Sequence, residues 1–187
     1  MNDQPLLQTE LIPTGGHWGG LLFDNPTIGL PLALTWSFTI DFQSVGRDYG
    51  RSEPSLTFDW VPLEVRSWSE LVGTSVRTAL FGDPEEPSLY FFEHHRYDEA
   101  ALDITDQSGR RIRVAVELRG DVDALGLESV AADAWLDFSG IVVAASDDQG
   151  SAEAARLLLE GFTDTSGLIA TERQRGFGFI SRREDPS

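Results

Sequence analysis

The sequence has 187 residues, of which 41% are hydrophobic and 10% aromatic, a composition typical of a folded globular protein. It contains 31 acidic residues and 14 basic ones, all of them arginine, so the net charge is -17 and the pI is near 4.3. The absence of lysine and cysteine excludes Schiff-base and P-loop lysines, cysteine nucleophiles, disulfides and Cys-based metal centres.

Residues 1–30 are predicted to be an irregular N-terminal segment rich in proline and glycine. Pro5, Pro13 and Pro26 punctuate this stretch, and residues 15–20 form a glycine-rich run. Such dense punctuation argues against a long regular element. A chain of this length can bury a core without disulfides or metal ions, so we expect residues 1–187 to form a single domain.

Alternation of apolar and polar residues predicts the first two strands. Over Leu32–Ser44, every second residue is apolar, which is typical of a strand with one buried face. Leu56, Phe58 and Trp60 continue this pattern on a single face of the next strand. We expect the two strands to pair as a long hairpin.

Two helices are predicted. Ser67 and Glu70 match a capping box, apolar residues then recur every three to four positions as far as Leu80, and Gly82 would end the helix. A second helix is predicted over residues 151–160, closed by Gly161 in the C′ position.

Six further strands complete the prediction, most of them joined by short turns. They are expected at Ser88–Tyr97, Leu102–Thr105, Ile112–Leu118, Ala134–Ala145, Leu168–Thr171 and Phe177–Ile180. The order of elements predicts an α+β fold, with a predominantly antiparallel sheet of about eight strands and two helices.

Residues 175–180 resemble the RNP1 signature of RNA-recognition motifs and cold-shock domains, whose aromatic residues stack on bases. In those families further elements follow RNP1, whereas only seven residues follow Ile180 here. The high negative charge also repels phosphate backbones and anionic lipids. We therefore predict neither nucleic-acid nor membrane binding, and no signal peptide or membrane span is recognisable, which favours a cytoplasmic protein.

No catalytic residue, metal site or cofactor is predicted. The motifs for serine, aspartic or calcium-dependent chemistry are incomplete. One alternative remains open, a small-molecule or metal-binding domain or an enzyme centred on the Glu93, His94 and His95 region. Its pocket would be completed by His17 and Trp18.

The acidic residues are concentrated in one part of the chain. Residues 120–172 contain eleven acids and only one arginine, Arg156. We predict that an acidic face binds a basic protein partner, because opposite charge speeds association. Its residues are Asp133, Asp137, Asp147, Asp148, Glu153 and Glu160.

In size, acidity and lack of catalytic motifs the chain resembles bacterial immunity and antitoxin proteins, which neutralise basic, nucleic-acid-directed toxins. That resemblance implies a non-enzymatic interaction module that inhibits a basic protein. The sequence leaves the oligomeric state and the identity of the partner open.

Overall fold

The protein is a closed β-barrel. The computed structural model describes residues 4–78, 87–146, 150–172 and 176–181. Within these residues strands account for 61% of the structure; seven of them close the barrel, three more extend it, and there is a single short helix. The predicted α+β fold with a sheet of about eight strands and two helices is therefore wrong.

The strands in chain order are β1 (Pro13–Asn25), β2 (Leu30–Phe42), β3 (Val45–Arg47), β4 (Gly50–Ser52), β5 (Ser55–Val61), β6 (Ser75–Thr78), β7 (Ser88–Phe91), β8 (Glu93–Ser108), β9 (Arg111–Asp121), β10 (Ser129–Ala144), β11 (Leu168–Glu172) and β12 (Phe177–Ser181). The helix α1 (Ala152–Glu160) lies between β10 and β11. Single turns of 3-10 helix precede β1 (Gln8–Glu10) and β2 (Pro26–Ile28).

The barrel strands follow one another in the order β1-β2-β5-β7-β8-β9-β10, and β10 returns to β1. Every pair in the ring is antiparallel except β10 with β1, which is parallel. The number of strands explains this exception. When seven strands alternate in direction around a ring, the first and last point the same way. Outside the ring, β6 pairs with β8, β12 with β10, and β11 with β12, while β3 and β4 form a separate hairpin.

The strand that closes the barrel comes from the segment predicted to be irregular, and that prediction is wrong for residues 13–25. Its glycines permit unusually close approach to both neighbours. A Cβ atom on Gly16 would lie 2.0 Å from the carbonyl oxygen of Thr39, and one on Gly19 would lie 2.6 Å from that of Gly140. The glycines that suggested a loop thus allow β1 to pack closely against both β2 and β10 at the seam, where β10 pairs with β1 and closes the barrel.

The first predicted helix is also wrong within its described part. Residues 67–74 form turns that lead into β6, and residues 79–86 lie outside the described ranges. Gly73 has a φ of 86°, which interrupts a right-handed helix. The Ser67 hydroxyl accepts a hydrogen bond from the amide of Ser69 rather than completing a capping box with Glu70.

The second predicted helix is confirmed as α1. The Ser151 hydroxyl accepts a hydrogen bond from the amide of Ala154 and so caps its first turn. Gly161 differs from the expectation, because it stays right-handed at the helix end with a φ of -68°. Among the described residues, no helix is long and apolar enough to cross a membrane.

Large side chains fill the interior of the barrel. Alternate residues of the barrel strands point inward, and the bulkiest of these side chains are at most 2% exposed. They include Trp18, Trp36, Phe38, Phe58 and Tyr97. A barrel of this strand number is just wide enough for side chains to fill, so its interior is a packed core.

The N-terminal segment buries Leu6 and Leu11 in the core and is held by Arg47. The Arg47 side chain is only 4% exposed, and its guanidinium donates to both carboxylate oxygens of Glu10 at 3.0 and 2.8 Å. It also donates to the carbonyl oxygens of Gln4 and Pro5. On the far side of the segment, the Gln8 amide pairs with both the N–H and the C=O of Ala131.

The ion pair between Arg47 and Glu10 predicts a pH-dependent contribution to the free energy of unfolding. The hydrogen bond from Arg47 holds the pKa of Glu10 below its ordinary value, so the stabilisation is present at neutral pH and is lost as the pH falls through the lowered pKa. We expect Glu10→Gln to lower the free energy of unfolding by about 1 to 2 kcal/mol at pH 7. Urea denaturation from pH 7 to 3 should show this difference shrinking in acid, and a constant difference would contradict the assignment.

Candidate functional site

Trp60 lies on the outer wall of the barrel, although strict alternation with Leu56 and Phe58 would place all three on one face. In the ladder between β2 and β5, Phe38 stands opposite Phe58 while Trp36 stands opposite Val61. Two residues of β5 therefore face one residue of β2, which is a β-bulge. The bulge turns Trp60 outward and lets Val61, which is 1% exposed, take the inward position.

The backbone of Trp60 is strained. Its φ is 60°, in the left-handed region that side-chain-bearing residues avoid at a cost of about 1 to 2 kcal/mol. Its side chain is 43% exposed, and its ring meets the ring of Phe23 edge-on at 6.0 Å between centroids. Strain of this kind persists only where the surrounding structure enforces it, and it clusters at functional sites.

A groove adjoins this aromatic pair. Phe23 stands opposite Ala33 in the ladder between β1 and β2, and Ala33 lines the groove. The groove has a volume of about 520 Å³. Its walls come from β2, from the segment after β5 and from the end of α1: Leu32, Ala33, Leu34, Pro62, Leu63, Glu64, Val65, Arg66, Gly161 and Phe162.

Three carboxylates are next to the aromatic pair and the groove along the chain. Asp59 is the other residue of the bulge and is exposed, as is Glu64 on the groove wall. Asp24, next to Phe23, accepts hydrogen bonds from the hydroxyl and amide of Ser146, which lower its pKa and keep it ionised. The one cation that lines the groove among the described residues is Arg66.

The acidic residues predicted on β10 are paired with arginines of β9. Arg113 donates to Asp133 at 2.7 Å, and Arg111 approaches Asp137 at 3.4 Å. The Arg111 guanidinium also lies over the ring of Trp135 at 5.4 Å. This part of the outer wall is therefore a ladder of opposite charges, with its negative charge locally balanced.

The other predicted acidic residues lie elsewhere. Glu153 and Glu160 are on α1, and Glu160 accepts a hydrogen bond from Thr165 at 2.9 Å. Gly161 lines the groove, so Glu160, the residue before it, is the predicted acidic residue next to the groove in the sequence. Asp147 and Asp148 lie outside the described residues.

The structure does not bring the residues of the alternative pocket together. His17 is exposed on β1, and Trp18 points into the core. Glu93, His94 and His95 are on β8, which is separated from β1 by two strands of the ring on one side and three on the other. Across the described ranges, no group of three or more His, Asp or Glu residues is placed to hold a metal ion.

The two histidines of β8 have different surroundings. His94 is exposed, its Nδ1 lies 3.2 Å from the hydroxyl of Ser88, and its ring meets that of Tyr90. His95 is 6% exposed, with Nε2 3.2 Å from the carbonyl oxygen of Phe91. They face opposite sides of the wall, as the sequence predicts for neighbours on a strand.

No family model matches the chain, and neither the curated proteins nor the solved structures include one with significant similarity to it. The residues around Trp60 therefore provide the grounds for a functional interpretation.

The strain at Trp60 can be tested by two substitutions that remove the same ring. Glycine tolerates a φ of 60° whereas alanine does not, so we expect Trp60→Gly to be more stable than Trp60→Ala by about 1 kcal/mol. Urea denaturation of the two variants measures this difference. Equal stabilities would show that the left-handed backbone carries no cost.

Proposed function

We propose that this protein is a non-enzymatic interaction module that holds a basic protein partner on the outer wall around Trp60. The observation that carries the proposal is an aromatic side chain turned out of a packed core on a strained bulge. Tryptophan is the residue type most enriched among interface hot spots, since it offers a large rigid surface with few rotamers to fix. The adjoining groove would accept apolar side chains next to this anchor.

The charge distribution supports a basic partner. The net charge of -17 attracts cationic proteins over long distances. Near the aromatic pair, Glu64 lines the groove, and Asp59 and Asp24 are the sequence neighbours of Trp60 and Phe23. An arginine or lysine of the partner could lie over the exposed face of Trp60 in a cation–π contact. The predicted acidic residues Asp133 and Asp137 would contribute less, because each faces an arginine.

More specifically, we propose that the protein acts in the cytoplasm as an immunity-like or antitoxin-like inhibitor of its basic partner. A toxin that acts on nucleic acids needs a basic surface, and an acidic inhibitor with an apolar anchor could cover it. The proposed inhibition follows from occupying the partner's surface and requires no catalytic group on this chain.

The partner can be identified by placing a photo-crosslinking residue at position 60 in the source cells. Binding of the recovered partner should then weaken at least tenfold in Trp60→Ala, the loss expected of a hot spot. Trp135→Ala is the matched control, because that ring lies on the ion-paired ladder of β9 and β10. If Trp60→Ala binds as tightly as the wild type, the proposed surface is wrong.

The electrostatic part of the proposal predicts a rate effect. We expect the double reversal Asp59→Arg and Glu64→Arg to slow association with the recovered partner about tenfold at low salt, with a smaller effect at high salt. Stopped-flow kinetics at several ionic strengths would measure it. The control is Asp133→Asn, whose carboxylate already pairs with Arg113. An on-rate that does not depend on salt would contradict electrostatic steering.

A further inference from the structure

In the described structure, one part of the outer wall carries no charged side chains. Directly opposed residues of neighbouring strands point to the same side of a sheet, and successive residues point to opposite sides. Ile141, Phe179 and Trp36 belong to one row that runs across the strands and is buried inside the barrel. The next row, one residue further along each strand, points outward and consists of Ile169, Ile180, Gly140, Gly19 and Ser37.

Two more outward rows follow on the same five strands, β11, β12, β10, β1 and β2. The first of them consists of Thr171, Gly178, Val142, Leu21 and Thr35, and the second of Ala144, Phe23 and Ala33. Most of these residues are half-buried, although they lie outside the barrel core. We call the three rows the uncharged sector.

The outer wall formed by β8, β9 and the first half of β10 is densely charged by contrast. Glu99 stands opposite Arg119, which donates to Glu117 at 2.7 Å, and Arg113 donates to Asp133 at 2.7 Å. In a protein with a net charge of -17, five adjacent strands with an uncharged outer face are therefore a local feature. Uncharged surfaces of this extent mark interaction sites.

The uncharged sector is high at one end and low at the other. Ile169 and Ile180 stand opposite each other at the β11 edge and are 39% and 37% exposed. Ile180 also covers Gly140, since a Cβ atom there would lie 3.0 Å from Cγ2 of Ile180. Towards β2 the same row continues with Gly19 and Ser37, whose side chains rise little above the backbone. This shape is self-complementary, because a two-fold axis through the row places the isoleucines of one copy over the low end of the other.

We propose that a second copy of this chain covers the uncharged sector, with the two sectors packed face to face about a two-fold axis. Two chains of charge -17 repel each other where their carboxylates meet, so they approach at the lowest cost through faces that carry none. From the strand spacing, the sector with its side chains covers about 700 Å², close to the roughly 800 Å² per partner of a standard interface. This inference goes beyond the proposed partner binding, which centres on Trp60 at the border of the sector.

Sedimentation velocity of the wild-type protein tests the proposal. We expect the mass to rise from 20.6 kDa towards twice that value with increasing concentration. The dimer should be tighter at about 500 mM than at about 50 mM NaCl, because salt screens the repulsion between the copies. Binding of a basic partner has the opposite salt dependence, so the two kinds of association are distinguishable.

Substitutions locate the interface. We expect Ile180→Glu to weaken the dimer at least tenfold, since the new carboxylate would be buried against the other copy. Ser37→Glu, at the low end of the same row, should have the same effect and replaces a side chain that is already polar. Val122→Glu is the matched control, because Val122 is 38% exposed and follows β9, outside the sector. Circular dichroism would check that each variant is folded.

Other outcomes would overturn the proposal. A mass that stays at 20.6 kDa up to about 100 μM at both salt concentrations would show that the copies do not associate. A dimer that neither Ile180→Glu nor Ser37→Glu weakens would use another face. A monomer that binds phosphatidylcholine vesicles would assign the sector to a lipid surface instead. These measurements use no protein partner, so they leave the proposal around Trp60 to its own test.

Discussion

Gly16→Ala is expected to lower the free energy of unfolding by at least about 3 kcal/mol, a large fraction of the stability of a typical domain. The new Cβ would stand 2.0 Å from the carbonyl oxygen of Thr39 and 2.7 Å from Cδ2 of Leu136, closer than any van der Waals contact. The φ of Gly16 is also 152°, which alanine rarely adopts. Relief would require β1 to move away from β2 or from the barrel interior.

Two glycines outside the seam are controls for this substitution. Gly46→Ala meets no atom within 4 Å and should leave stability within about 0.5 kcal/mol of the wild type. Gly29→Ala also has open space but a φ of 74°, so it isolates the conformational cost of about 1 kcal/mol. Guanidinium denaturation of all three variants would measure the series. A Gly16→Ala protein no less stable than Gly29→Ala would refute the close packing of the seam.

Trp18→Ala is expected to destabilise the protein by about 4 kcal/mol, the cost of deleting a fully buried tryptophan. Trp18 is 0% exposed, and its ring contacts those of Trp36 and Phe138, at 5.7 and 4.6 Å between centroids. Its removal would open a large cavity and leave the carbonyl oxygen of Arg110 without its indole donor.

The comparison for this variant is Trp135→Ala, on the outer wall. Trp135 is half-buried beneath the Arg111 guanidinium, so we expect its loss to cost about 1 kcal/mol. Thermal and urea denaturation, with near-ultraviolet circular dichroism to follow core packing, would measure both variants. If the two substitutions cost the same, the barrel interior is not the rigid core described above.

Most strands could be predicted because their alternation is strict. The regular pattern of β2 and of the hairpin between β8 and β9 places alternate apolar residues inside the barrel, and strands are confirmed in both places. The predicted strand Ser88–Tyr97 is wrong as a single element, because the chain turns at Phe92, whose φ is 62°, and the residues after it run through Leu102–Thr105 as one strand, β8. The prediction for β10 places its end within one residue, but the strand begins at Ser129, five residues before the predicted start. Side chains alternate between the two faces of a strand, so in these strands the apolar residues determine which face is buried.

The errors arose where long-range pairing outweighs local preference. The spacing that predicted a helix after Ser67 is overruled by Gly73 and by the pairing of β6 with β8. The glycines of β1 are poor strand formers by themselves, and only β10, more than a hundred residues later, explains them. Closure of the ring could not be derived from any local pattern.

The candidate site was missed for a related reason. A bulge is invisible to a strict alternation rule, which kept Trp60 on the same face as Leu56 and Phe58. The one local signal is the adjacent pair Trp60 and Val61, since two neighbouring apolar residues break the period of two. The pairing of Asp133 and Asp137 with arginines of β9 was not predicted either, because it depends on the register between β9 and β10.

The parallel seam also sets the order of events during synthesis. Strand β1 leaves the ribosome early, but its second edge has no partner until residues 137–144 have been made. For that time one edge of a nascent hairpin stays open to other chains. The sparse side chains around Gly15, Gly16, Gly19 and Gly20 make this edge a poor template for aggregation, so the composition that permits the final closure also protects the unfinished chain.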